Sequence, residues 1–182
     1  MKNSKIRTKL TLENIRKTTQ MGLKNQFDHT GKMPTALICF SDSQTVNVLP
    51  CLTDDEAKDK FAELVTLLCT AVAAKAIAFV AESWTCKDFQ ARPSEHPDRQ
   101  EVVMLSIEMR GHPAEVWMYP IIRSGTEKPK LGQPTFISSA ESGGRFTHLL
   151  PANPPTDGER IIASHVLERR GYKTENDRAR WN

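Results

Sequence analysis

Ala76-Ile77-Ala78-Phe79-Val80-Ala81-Glu82-Ser83-Trp84 is the stretch whose reading decides the fold. Side chains alternate along a strand. Val80, Glu82 and Trp84 therefore share one face, and Ile77, Phe79, Ala81 and Ser83 the other. Both faces are apolar except for Glu82. A carboxylate between Val80 and Trp84 stands either at a wet strand end or in a pocket where it is paired, because an unpaired buried carboxylate costs several kcal/mol.

The segment before this strand predicts a long helix. Thr53-Asp54-Asp55-Glu56 reads as a capping box with Thr53 as the cap, and its acidic residues suit the positive end of the helix dipole. Phe61, Leu64, Val65, Leu68 and Val72 recur at spacings of three and four and form one apolar stripe. From Leu64 to Ala81 the single charge is Lys75. That interruption and the amphipathic pattern before it argue against a membrane span, which needs about 20 predominantly apolar residues. A helix of about 21 residues and the strand after it have similar lengths, roughly 30 Å. They can lie antiparallel, which returns Trp84 toward Thr53.

Outward from this pair, residues 1–10 read as a basic arm. Leu12, Ile15, Thr19, Leu23 and Phe27 mark an amphipathic helix capped by Thr11. Residues 35–40 and 45–49 read as two strands around Ser41-Asp42-Ser43-Gln44, and Pro50 stops the second. Val102 to Arg110 is a strand with Val103, Leu105, Ile107 and Met109 on one face. The next strand, from Glu115 to Ile122, contains Pro120, which donates no ladder bond and predicts an open edge or an early end. Residues 135–139 and 145–150 are expected to pair as a small hairpin. A last helix, capped by Thr156 with Glu159, is expected to bury Ile161, Ile162, His165, Val166 and Arg169. Residues 172–182 form a polar tail.

The expectation is an α+β domain over residues 11–171, with a single mainly antiparallel sheet of about five strands plus the hairpin and three helices. The order αββαβββ-hairpin-α resembles the topology of the roadblock/profilin-like class.

At 182 residues the chain is long enough for one domain with a real core. A net charge of +3 is too small to argue for nucleic acid by itself, although Lys2, Lys5, Arg7, Lys9, Arg16, Lys17, Lys24 and Lys32 crowd the first segment. Cys39, Cys51, Cys69 and Cys86 show no Cys-x-x-Cys spacing, a pattern that suits a reducing cytoplasm. No apolar run follows the basic N-terminus as it would in a signal peptide.

The connection from Thr85 to Glu101 is long for neighbouring strands, and long structureless loops are often functional. It holds Arg92, Glu95, His96, Asp98 and Arg99, stiffened by Pro93 and Pro97. Glu82, Glu95, His96 and Asp98 are the candidate catalytic residues, as carboxylates and an imidazole able to move protons. Trp84, Arg92 and Arg99 are candidate binding residues. The loop and Glu82 with Trp84 are expected at one end of the sheet, with Arg92 or Arg99 pairing Glu82 or a loop carboxylate. No cofactor and no metal is expected, since phosphate-loop, nucleophile-elbow and His-Glu-x-x-His motifs are missing.

Glu82-Ser83-Trp84 followed by Pro93-Ser94-Glu95-His96-Pro97-Asp98-Arg99-Gln100-Glu101 resembles a family of uncharacterised bacterial and phage proteins, over roughly residues 75–110. The resemblance implies only a similar small α/β domain, and no catalytic residue carries over from it. Three functions stay open: a non-enzymatic interaction or accessory module that pairs with itself or with another protein, a small hydrolase-like enzyme around Glu82 and the 92–101 loop, and a nucleic-acid-binding accessory protein acting through its basic N-terminal segment.

Overall fold

The computed structural model describes residues 10–86, 95–138, 146 and 148–172. Most of the expected arm (residues 1–9) and most of the expected tail (residues 173–182) lie outside them. The elements follow as α1 (Leu12–Thr30), β1 (Ala36–Phe40), β2 (Thr45–Val48), α2 (Asp55–Ala71), β3 (Ala76–Thr85), β4 (Gln100–Met109), β5 (Glu115–Ile122), β6 (Lys130–Leu131), β7 (Thr135–Ser138) and α3 (Asp157–Arg169). The fold is α+β with one antiparallel sheet. Its strand order is β2-β1-β3-β4-β5-β6, with β7 also paired to β5, so it has seven strands rather than about five.

β3 lies in the middle because its residues 76–80 are apolar on both faces. Ala76, Ala78 and Val80 pack under α1 with Ile15, Leu23, Phe27, Val103, Leu105 and Ile107. Ile77 and Phe79 face the other way, against Phe61, Val65 and Leu68 of α2 and Ala163 and Leu167 of α3. Helices therefore cover both sides of the sheet, α1 on one and α2 with α3 on the other.

The two long helices start much as the sequence predicts. Thr11 caps α1 by accepting from the Asn14 N–H at 3.2 Å, and Gly31 closes it at φ 70°. In α2 the cap is Asp54 rather than Thr53: Asp54 Oδ1 accepts from the Ala57 N–H at 2.7 Å, and Thr53 donates its hydroxyl to Asp54. The carboxylate is the stronger acceptor at a helix N-terminus. Ala73, at φ 49°, turns the chain out of α2. The amides of Ala73 and Ala74 then reach back to the Thr70 and Cys69 carbonyls, the Schellman arrangement.

Three expectations are overturned. Pro120 does not leave an edge. Its carbonyl accepts from Gly132 N–H at 2.7 Å, so its missing N–H points to the same side. That gap falls between the pairing of β5 with β7, which ends at Met118↔Thr135, and its pairing with β6, which begins at Ile121↔Leu131. Among the described residues, the two halves of the expected 135–139/145–150 hairpin do not pair with each other. β7 pairs with β5, and the Leu149 and Leu150 amides go to the two oxygens of the buried Glu108 carboxylate, at 3.1 and 3.0 Å. Finally, α3 buries Ala163 and Leu167, while Ile161 and Ile162 are 59% and 65% exposed and His165 is exposed. The Thr156–Glu159 capping box is present as expected, but the helix is turned so that Ala163 and Leu167 pack on α2.

Glu108 ties Leu149 and Leu150 over the sheet by accepting both of their amides. Glu108→Ala is expected to lower the unfolding free energy by about 2–3 kcal/mol, read from urea denaturation; a change within experimental error would show that the segment is held otherwise. Hydrogen bonds from Ala57 hold the Asp54 carboxyl below its usual range, and Thr156 does the same to Glu159. A lowered folded-state pKa gives stability that is present above the unfolded value and lost as pH falls through the folded one. Asp54→Asn should therefore flatten the loss of stability below roughly pH 4, measured by thermal unfolding across pH.

Candidate functional site

β3 and β4 run on past their neighbours. They stay paired to Thr85↔Gln100, whereas β1 pairs β3 only as far as Val80 and β5 pairs β4 only as far as Val102. The connection between these strands is therefore residues 86–99, shorter than expected because both strands are longer. Continued backward, β1 would set Pro34 opposite Glu82, and proline has no N–H for a ladder. The chain turns off there. Glu82, exposed at this strand end, uses a side-chain oxygen to accept the Met33 N–H at 2.6 Å.

Trp84 shares this face and is 38% exposed, with the Arg99 guanidinium 4.9 Å from its ring centroid. This cation–π contact carries the expected meeting of the loop with the strand end, with Arg99 on the aromatic ring. Glu101, opposite Trp84, forms an ion pair with Arg123. Glu101, and more weakly Glu82, raise the pKa of Arg123. Arg92 lies outside the described residues.

The catalytic candidates occupy different settings. His96 Nδ1 accepts the Asp98 N–H at 3.1 Å and its carbonyl accepts the Arg99 N–H, so the imidazole braces its own turn. Glu95 and Asp98 are exposed. Three cavities lie elsewhere. One of 560 Å³ lies between residues 48–52 and α2, beside Arg170 and Tyr172. One of 500 Å³ lies by Ser41, Lys75, Arg110 and Arg160. One of 730 Å³ lies between Ser43-Gln44, the end of α2 and the Ile161–His165 side of α3. None of the three is lined by Glu82, Glu95, His96 or Asp98. Among the described residues no group of three or more His, Cys, Asp and Glu side chains could hold a metal ion.

Other charged and nucleophilic groups are engaged structurally. On α1, Arg16 bonds Glu115 at 3.0 Å and Lys17 pairs with Glu13. The adjacent Cys69 thiol and burial push the Cys39 thiol well up, which keeps it neutral and unreactive. Arg110 binds the carbonyls of Ala74, Pro151 and Asn153 and so joins the end of α2 to the segment leading into α3.

Sequence reading missed the outer edge of β2. Thr45-Val46-Asn47-Val48 is the last strand of the sheet on that side, and among the described residues nothing pairs with its outer edge. Around it stand Leu49, 64% exposed, and the grooves that run to α2 and α3. The signal was present in the sequence as a strand without charge, although only strand order reveals which strand is outermost. Comparisons of the chain with protein-family models, with curated proteins and with solved structures give no match. No helix among the described residues is long and apolar enough to cross a membrane.

Glu82→Ala is expected to speed hydrogen exchange at the Met33 amide and leave the β1 amides unchanged, because β1 is held by β3 and not by the carboxylate. Equal exchange at Met33 in both proteins would remove Glu82 as the clamp on that segment.

Proposed function

We propose that this protein is a non-enzymatic interaction module that takes an added strand along the outer edge of β2. The single observation that carries the reading is that edge. It is the end of the strand order, and its residues Thr45-Val46-Asn47-Val48 include no charge or proline. Natural proteins guard open edges with lysine, proline, bulges or covering segments, since an unpaired edge is a template for another strand. Backbone groups supply the affinity of such addition and neighbouring grooves supply its selectivity. Here the 560 Å³ groove carries Val48, Leu52, Phe61 and Leu64, with Lys60 and Arg170 at its polar margin. The separate settings of Glu82 and His96 lend less support to a hydrolase, and the pairing of Arg16 and Lys17 lends less to nucleic-acid binding. Four free cysteines favour a reducing compartment such as the cytoplasm.

The test is hydrogen exchange on the full chain, alone at high concentration and with a synthetic peptide of alternating threonine and valine. Amides of β2 that do not bond to β1 should be protected in at least one condition. Thr45→Lys with Asn47→Lys, both at exposed side chains, should abolish that protection and leave β1 and β3 unchanged. Fast exchange at those amides in both conditions would sink the reading.

A further inference from the structure

Independently of the β2 edge, the 500 Å³ cavity beside the start of β3 collects positive charge from three separate places in the fold. Lys75 comes from the turn before β3, Arg110 from the end of β4 and Arg160 from the first turn of α3. Backbone bonds set the first two side by side. The Lys75 N–H donates to the Phe40 carbonyl at 2.7 Å, and the Arg110 N–H to the Lys75 carbonyl at 3.0 Å. Among the described residues that line the cavity, the only carboxylate is Asp42. It pairs with Lys75 at 2.6 Å, and Arg160 pairs with Asp157 at 3.2 Å. The Asp42 and Asp157 side chains are 70% and 92% exposed, and pairs so open to water hold weakly.

Arg110 has no such counter-charge. Its acceptors are neutral carbonyls, that of Ala74 for Nε and those of Pro151 and Asn153 for Nη1. Its Nη2 is buried and has no acceptor among the described residues. Glu108, two positions before it, gives both carboxylate oxygens to the Leu149 and Leu150 amides. A guanidinium drawn out of water is costly unless its charge is matched. Burial accordingly holds the Arg110 pKa below its usual range. Joining three carbonyls needs donors and no net charge, so the clamp on the segment before α3 leaves the charge itself unexplained. That charge stands beside a cavity carrying two more cations.

We propose that this cavity binds a phosphomonoester, with the phosphate between Lys75 and Arg160 in the field of Arg110 and the organic group on the apolar wall. That wall is Val72, Met109, Pro154 and Pro155. A phosphate offers several charged oxygens to donors that converge from different directions, and both arginine and lysine serve it well. The cavity also falls within the size of small-molecule pockets, roughly 300–1,000 Å³, with room for more than a bare phosphate.

Isothermal titration calorimetry of the full chain at fixed ionic strength should show saturable binding of phenyl phosphate. Inorganic phosphate should bind more weakly, and phenol should not bind. Lys75→Ala and Arg160→Ala, both at exposed side chains, should each weaken binding by about tenfold with circular dichroism unchanged. Arg110→Gln should abolish binding; if that chain does not fold, the two rim variants carry the test. Phenyl phosphate should also shift the amide resonances of Asp42, Lys75 and Arg110 and leave those of Glu82 and Trp84 in place. No saturable binding of either phosphate, or binding unchanged in both rim variants, would overturn the inference. Inorganic phosphate binding as tightly as phenyl phosphate would overturn the ester and make the free anion the ligand.

Discussion

The burial of β3 on both faces is the constraint on which the rest of the structure depends. Five consecutive residues, Ala76 to Val80, are all buried, and such a run is stable only when both sides of the sheet are covered. α1 supplies one cover and α2 with α3 the other. Each helix has its own apolar stripe to bury, so strand and covers require one another. The small side chains Ala76 and Ala78 lie on the α1 side, where the larger Leu23 and Phe27 fill the space above them. On the other side Phe79 stacks on Phe146 with ring centroids 4.7 Å apart, and Phe61 meets both rings.

Two prolines then shape what surrounds this centre. Pro34 ends β1 early enough that β3 and β4 project beyond the sheet, which leaves Glu82 and Trp84 at a wet strand end. Pro120 has its missing donor aimed at the gap between β6 and β7, so it sits within a paired strand without a lost ladder bond. The same residue type produces an end in one place and a tolerated interior position in the other. The difference is which side of the strand the absent N–H faces and whether a partner is there.

Polar groups in the interior are tied to chain segments that have no ladder of their own. Glu108 takes the amides of Leu149 and Leu150, and Arg110 takes the carbonyls of Ala74, Pro151 and Asn153. Two positions apart on the chain, these residues hold the segment that delivers α3 to its place against α2. Edge strand β2 has no such attachment on its outer side among the described residues.

The sequence by itself determined the α+β class, the antiparallel sheet, the Thr11 cap and buried stripe of α1, the stripe of α2 and the centrality of β3. These follow from periodicity and capping chemistry, which act over a few residues. It also marked Glu82 as standing at a wet end or in a pairing, and the structure makes it an exposed clamp on the Met33 amide. Only the tertiary structure decided that Pro120 lies inside the sheet, that α3 turns Ala163 and Leu167 inward and leaves Ile161 outside, that Arg99 stacks on Trp84, and that β2 is outermost. Each of these depends on which segments meet across the fold. Local periodicity says which faces of an element are apolar; strand order and helix packing determine which of them the molecule buries.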